Sequence, residues 1–343
     1  MFHQWDLDSR NGKRIKMINN GEVSNGTIGW RRVWQFGKKR LRGFGILLGL
    51  VVIVVVLSIV SDDFLKLSNL INILRQSSMV GIMAVGMTFV LIVGGFDLSV
   101  GAIMGLAGAL AVALQIRIGL VPALAVALLF GALAGLLNGL LVTKLHVNAF
   151  VVTLGTMNIF RGLLLAFLGG QTLISQNSTF GFIGSGYVGP IPIPVLLFAL
   201  VTIVSAFALH RTRFGRYIYA VGGNEEAAIY SGIGADVYRT ASFGIVGLLS
   251  ALAGIILASR LQSVAPMAGS GYELDAIAAV VIGGTSISGG EGSIWRTIIG
   301  VLVLSVIGNG FNILDVNEYV QLVFKGAIVV AAVAFDAYSK RRE

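Results

Sequence analysis

The sequence predicts an all-α, polytopic membrane protein, and three observations carry that prediction. Of its 343 residues 56% are hydrophobic and only 12% charged, where a soluble domain carries roughly a quarter charged residues. Mean hydropathy is +0.87. The apolar residues also fall into separate runs of roughly membrane-crossing length, which one soluble core would not require. About ten such helices are expected, some short or broken by glycine, with both termini cytoplasmic.

Residues 1–42 carry Arg10, Lys13, Arg14, Lys16, Arg31, Arg32, Lys38, Lys39, Arg40 and Arg42 against Asp6, Asp8 and Glu22, most of the net charge of +9. Because this segment abuts an apolar run, it reads as a basic cytoplasmic tail and not as a nucleic-acid-binding arm. Residues 43–343 form the membrane domain. Its first run, Phe44–Val60, is only just long enough to cross. The long basic lead, and a poor cleavage pattern at Ser58–Ser61, make it a retained helix and not a signal peptide.

Further runs fall near 70–93, 98–116, 120–143, 149–169, 193–209, 238–258, 274–284, 295–312 and 318–335. The run at 98–116 is glycine-rich and that at 274–284 is short. Pro122 stands near a span start, where its missing N–H costs little. Pro190, Pro192 and Pro194 make a stiff, extended lead-in to the sixth run. Ten crossings from an inside N-terminus place Lys144, Arg211, Arg213, Arg216, Arg239 and Lys340–Arg342 inside. Lys66, Arg117 and Arg260 fall outside with the uncharged loop 171–191, as the positive-inside rule requires.

Several chemistries are excluded. The chain has no cysteine, and His3, His146 and His210 are scattered, so neither a thiolate nor a histidine metal site is expected. No G-x-x-x-x-G-K-[ST] occurs, so nucleotide phosphates have no P-loop. Ser286–Gly292 superficially resembles an ATPase signature, but alone it reads as glycine-rich packing or a helix break. No catalytic residue, metal or cofactor is expected in this chain.

The segment 210–236 is too polar to cross yet orderly. Arg211, Arg213 and Arg216 flank an expected turn at Gly215, and Tyr217, Ile218, Tyr219 and Val221 form an apolar ridge. Gly222–Gly223 is expected to turn the chain. Asn224 then caps a short helix from Glu225 to Ser231. Glu225 and Glu226 complement the helix dipole, and Gly232 and Gly234 end the helix. With no obvious partner in its own chain, this helix either lies on the membrane surface or docks another subunit.

Two glycine-rich breaks, 94–101 (GGFDLSVG) and 283–290 (GGTSISGG), interrupt apolar stretches and resemble each other. Asn138-Gly139 followed by Val147-Asn148 loosely matches Asn309-Gly310 followed by Val316-Asn317. Together they hint at an internal duplication. Backbone broken at membrane depth must be covered by protein or water. Asp97, Ser99, Asn148, Thr285, Ser286 and Ser288 are therefore candidates to line a polar pathway, the alternative being simple surface loops. Charged residues near spans are few, and only Arg161 and Lys325 come close to mid-span. That scarcity suggests a neutral solute and an energy source outside this chain.

The stretches 94–110 (GGFDLSVGAIMGLAGAL), 214–233 (FGRYIYAVGGNEEAAIYSGI) and 271–293 (GYELDAIAAVVIGGTSISGGEGS) resemble, in order, the membrane permease subunit of bacterial ribose/galactose/arabinose/xylose ABC importers, the ribose members above all. The resemblance runs from about residue 44 to the end. It implies a homodimer in the cytoplasmic membrane that moves a monosaccharide. A separate Mg-ATP-hydrolysing subunit would sit inside, and a periplasmic or surface sugar-binding protein outside. It also implies that Gly215, Arg216, Gly222, Gly223, Asn224, Glu225, Glu226, Ala227, Ala228, Ser231 and Gly232 belong to the ATPase-docking loop. A secondary carrier for a small neutral solute, an ABC permease for branched-chain amino acids and an oligomeric channel remain as alternatives.

Overall fold

Every apolar run becomes a helix in the computed structural model, which describes residues 45–340. The basic tail expected over 1–42, with residues 43–44 and 341–343, lies outside the described residues. In chain order the helices are α1 (Gly45–Val60), α2 (Leu67–Ile92), α3 (Val100–Ile118), α4 (Leu120–Lys144) and α5 (Ala149–Leu168). A one-turn helix α6 (Gly181–Ser185) precedes α7 (Ile193–Arg211), α8 (Arg213–Gly223), α9 (Glu225–Tyr230) and α10 (Ala235–Leu261). The last three are α11 (Tyr272–Ile282), α12 (Ile294–Ile313) and α13 (Glu318–Lys340). Seven of them, α2, α3, α4, α5, α7, α10 and α12, are long and apolar enough to cross a membrane. The all-α membrane architecture is thus as expected, with seven span-length helices among the described residues.

Helix α10 stands at the centre, packed on α4, α3 and α2. Lipid tails are as apolar as leucine, so helices in a membrane associate through close packing of small residues. Here Gly131 and Gly135 of α4 lie against Gly247 of α10, and Gly108 of α3 lies against the carbonyl of Gly254. A methyl on Gly86 of α2 would come within 2.9 Å of the Val246 backbone. Bulkier side chains at these points would push the bundle apart.

Four two-residue strands tie down the connections. Leu173–Ile174 (β1) pairs antiparallel with Ser263–Val264 (β4), Leu173 opposite Val264. Tyr187–Val188 (β2) and Ile191–Pro192 (β3) form a hairpin around Gly189, whose φ is +59°. Pro194 occupies the first turn of α7, where no N–H partner is lost. The expected extended three-proline lead-in is corrected: Pro192 is extended, but Pro190 stands in the hairpin turn and Pro194 is already helical.

Two local expectations are corrected. Gly215 and the Gly222–Gly223 pair were expected to turn the chain, but all three lie within α8. Two of them serve close approach: a side chain on Gly215 would overlap the Leu209 backbone, and one on Gly222 the Ile92 carbonyl. Thr212 caps α8, its hydroxyl accepting the Gly215 N–H at 3.4 Å.

Candidate functional site

Helix α9 forms as expected, within one residue. The side-chain oxygen of Asn224 accepts the Ala227 N–H at 2.9 Å. Glu225 and Glu226 occupy the first turn. The helix ends at Ser231 and Gly232, Gly232 taking φ +79° with its N–H on the Ile229 carbonyl. The expectation that this helix lacks a partner in its own chain is corrected. Arg239 of α10 grips Glu225 with two nitrogens, Nη1 to Oε1 at 2.9 Å and Nη2 to Oε2 at 2.7 Å. Ala228 is buried beneath it. Glu226, Ala227, Ile229 and Tyr230 remain exposed, Tyr230 at 89%. The helix is thus braced at its base while its tip, Ile229 and Tyr230, is an exposed apolar surface.

Helix α8 carries α9 and is strongly two-faced. Gly215, Ile218 and Val221 face inward, while Arg213 and Arg216 are exposed. Phe214 and Tyr217 stack on Tyr238 of α10 with ring centroids 5.8 and 5.1 Å apart. Burial raises the Tyr219 phenol above its ordinary value, and its hydroxyl donates to the Gly292 carbonyl at 2.9 Å.

The end of α8 rests on both glycine-rich breaks. The Gly290 N–H donates to the Ile92 carbonyl at 2.8 Å, joining the second break to the end of α2. Gly222 packs on that same carbonyl. A methyl on Gly289 would lie 2.8 Å from the Gly222 oxygen and 3.1 Å from the Gly94 α-carbon, and one on Gly290 would lie 2.8 Å from the Gly223 α-carbon. Three chain segments that are remote in sequence thus meet backbone to backbone. The loop–break contact was not foreseen from the sequence, although glycines at all three places were its only trace.

The two breaks leave their helices in the same way. Gly94 (φ +82°) and Gly284 (φ +79°) bond back three residues, to Leu91 and Val281. The next N–H groups, of Gly95 and Thr285, bond back five, to Val90 and Val280. This is the Schellman cap. It aligns Gly94 with Gly284, one residue away from the match read in the sequence. The second pair in the suggested duplication shares its geometry at Asn148 and Asn317. These open their helices by accepting the N–H two residues on, of Phe150 at 2.9 Å and Tyr319 at 2.8 Å, each two residues after a positive φ at His146 or Asp315. Asn138 and Asn309 do not match. Asn138 reaches the first break, whereas Asn309 exchanges amide hydrogen bonds with Asn69 at 3.0 and 2.7 Å.

Of the candidate pathway residues, Asp97 and Ser99 come together with Asn138. Asp97 Oδ1 accepts the Ser99 N–H at 2.8 Å and its hydroxyl at 2.6 Å. Asn138 Nδ2 donates to Ser99 Oγ at 2.8 Å. All three are fully buried. Thr285 and Ser286 are buried at the other break, where Ser286 Oγ accepts the Ser288 N–H at 3.2 Å. Ser288 and Asn148 are exposed, and Asn148 caps α5 through the Phe150 N–H. A separate apolar cavity of about 200 Å³ lies between α3, the end of α10 and residues 263–268. None of the six candidates borders it.

Comparison with known proteins places this arrangement among transport permeases. The family described as branched-chain amino acid transport system / permease component matches residues 69–333. The ribose import permease protein of Bacillus subtilis is 47% identical over 86% of this chain and 93% of its own length. That of Escherichia coli K12 is 42% identical over 90% and 98%. The D-allose transport system permease protein of E. coli K12 is 39% identical over 85% and 91%. No solved structure matches.

Proposed function

The chain belongs to the branched-chain amino acid transport system / permease component family, and from that premise we propose that it is the membrane permease subunit of an ATP-driven importer for ribose or a similar monosaccharide. The observation that carries the reading is the likeness, at 42–47% identity over most of the chain, to proteins named ribose import permeases. The family description also names branched-chain amino acids, but the full-length relatives favour a sugar.

In this reading the protein sits in the cytoplasmic membrane as a homodimer, with ten crossings per copy and both termini inside. α1, α11 and α13 complete the seven longer spans. A sugar-binding protein delivers the solute outside, and an ATPase subunit binds the exposed tip of α9, Ile229 and Tyr230. The chain itself performs no covalent chemistry. ATP-driven closure of the ATPases would pull on α8–α9 and, through Gly222, Gly289 and Gly94, on the ends of α2 and α11. Asp97, Ser99, Thr285, Ser286 and Ser288, with Asn148 at the start of α5, would form the inner end of the path, closed in this conformation. Ribose uptake by cells lacking their own ribose permease, supplied with this chain, its ATPase and its binding protein, tests the reading. Uptake of leucine but not ribose would overturn it.

A further inference from the structure

We propose that Arg161, Glu273, Asp275 and Lys325 form a station, within the membrane, that binds the hydroxyls of the monosaccharide in transit; this rests on the permease reading above.

Four lines of geometry put these groups together at one depth. After α10 the chain does not stay at the helix end but turns back along α3. Gly269 packs against the Gly101 carbonyl and Ala268 against Gly105. The neighbouring Met104 lies on Gly254, seven residues short of the end of α10, about 10 Å at the helical rise per residue. Helix α11 therefore begins inside the membrane, with Glu273 and Asp275 in its first turn. Arg161 stands seven residues from the end of α5 and donates from Nη1 to the Ala268 carbonyl at 2.7 Å. Lys325 stands seven residues into α13 and pairs with Asp275 at 2.9 Å. Three helices thus bring two cations and two carboxylates to one level.

Charged side chains at hydrocarbon depth face protein or water, not lipid. Here they are only partly satisfied. The Lys325 side chain is 42% exposed. Glu273 Oε1 accepts the Gly271 N–H at 3.1 Å, while its buried Oε2 has no hydrogen-bond partner. The guanidinium of Arg161 has five N–H donors. Met267 and Leu274 are exposed on the same stretch of chain, so apolar surface lies beside the charges, and Ser270 is exposed between them. Carboxylates and cations in equal number bind no ion by net charge. They do offer both acceptors and donors to a neutral polyol, and the apolar neighbours offer contact to its C–H face. A half-helix starting within the membrane is where transporters commonly place a solute.

The alternative is an ion-pair brace that merely holds the re-entrant segment 262–271. The assembled importer, reconstituted in liposomes with its ATPase and binding protein, separates the two with radiolabelled ribose as probe. D275N and K325Q should each lower ATP-driven uptake at least ~10-fold, with ATP hydrolysis changed less than about twofold. The exchanged pair D275K/K325D restores the attraction but not the site, so uptake stays low. Recovery of uptake in the exchanged pair, or unimpaired single variants, overturns the proposal. A second arm does not touch the charges. In this cysteine-free chain, S270C should react with a water-soluble thiol reagent, and more slowly during ribose turnover. An unreactive thiol, or one indifferent to ribose, overturns the proposal too. If the wild-type assembly takes up no ribose, the permease reading itself has failed.

Discussion

The α-carbon of Gly222 lies against the carbonyl oxygen of Ile92, the same oxygen that accepts the Gly290 N–H at 2.8 Å. One atom thus anchors the segment leading to α9, the end of α2 and the break before α12. Backbone packed this closely has little slack, so a displacement of α8 is passed to both breaks and not absorbed.

Substitution at this joint should separate two adjacent glycines. G222A drives a methyl into the Ile92 carbonyl and should cost about 1–3 kcal/mol, the range for overpacking. G223A places its methyl where no atom lies within 4 Å, and should leave stability unchanged or slightly raised. Thermal unfolding midpoints in detergent check the pair. Equal losses at both positions would mean that helix-end effects, and not the Ile92 contact, dominate.

Removing the Asn224 cap should fray α9. N224A forfeits the bond to the Ala227 N–H, a loss of about 1 kcal/mol, so the ATPase should bind roughly fivefold more weakly. N224D should bind as the wild type does. Affinity of the purified ATPase for the permease in nanodiscs reports the difference, and an unchanged N224A affinity would dismiss the cap as a contributor.

The Arg239–Glu225 fork fixes the base of the same helix. The Arg239 side chain is 19% exposed and that of Glu225 41%, so solvent screens the pair. A double-mutant cycle over E225Q and R239Q should give a coupling of about 0.5–1 kcal/mol that shrinks with added salt. A coupling that is zero at low salt would mark the fork as decorative.

The buried Asp97–Ser99–Asn138 cluster should be intolerant of partial removal. N138L strips the Nδ2 donor from Ser99 Oγ and should destabilise by about 1–3 kcal/mol, the cost of an abandoned buried polar group. D97N keeps an oxygen for both Ser99 donors and should cost less. Chemical denaturation of the two variants ranks them, and the reverse order would require a different hydrogen-bond network.

The membrane helices were legible because hydrophobic run length alone limits where a helix can lie, and each run from Phe44–Val60 to 318–335 coincides with one. The Asn224 cap was legible because capping is local, an asparagine followed by two glutamates. What the sequence concealed was contact between distant segments. Gly222 was expected to turn the chain and Gly290 to break a helix, because the sequence cannot say whether a glycine serves a positive φ or a close approach. Gly290 does take φ +76°, whereas Gly222 sits in a helix. Arg239, unremarkable in a helix start, could not be linked to Glu225 without the fold. Likewise Glu273 and Asp275 appeared to lie at a span end, because nothing in the sequence reveals that residues 262–271 turn back along α3.

If this chain moves solute only when a separate ATPase works on its inner face, flux into liposomes must depend on every component. With ATPase, binding protein and ATP all present, ribose should accumulate, and omission of any one should reduce accumulation to background. Accumulation driven by this chain alone, without nucleotide, would contradict the account.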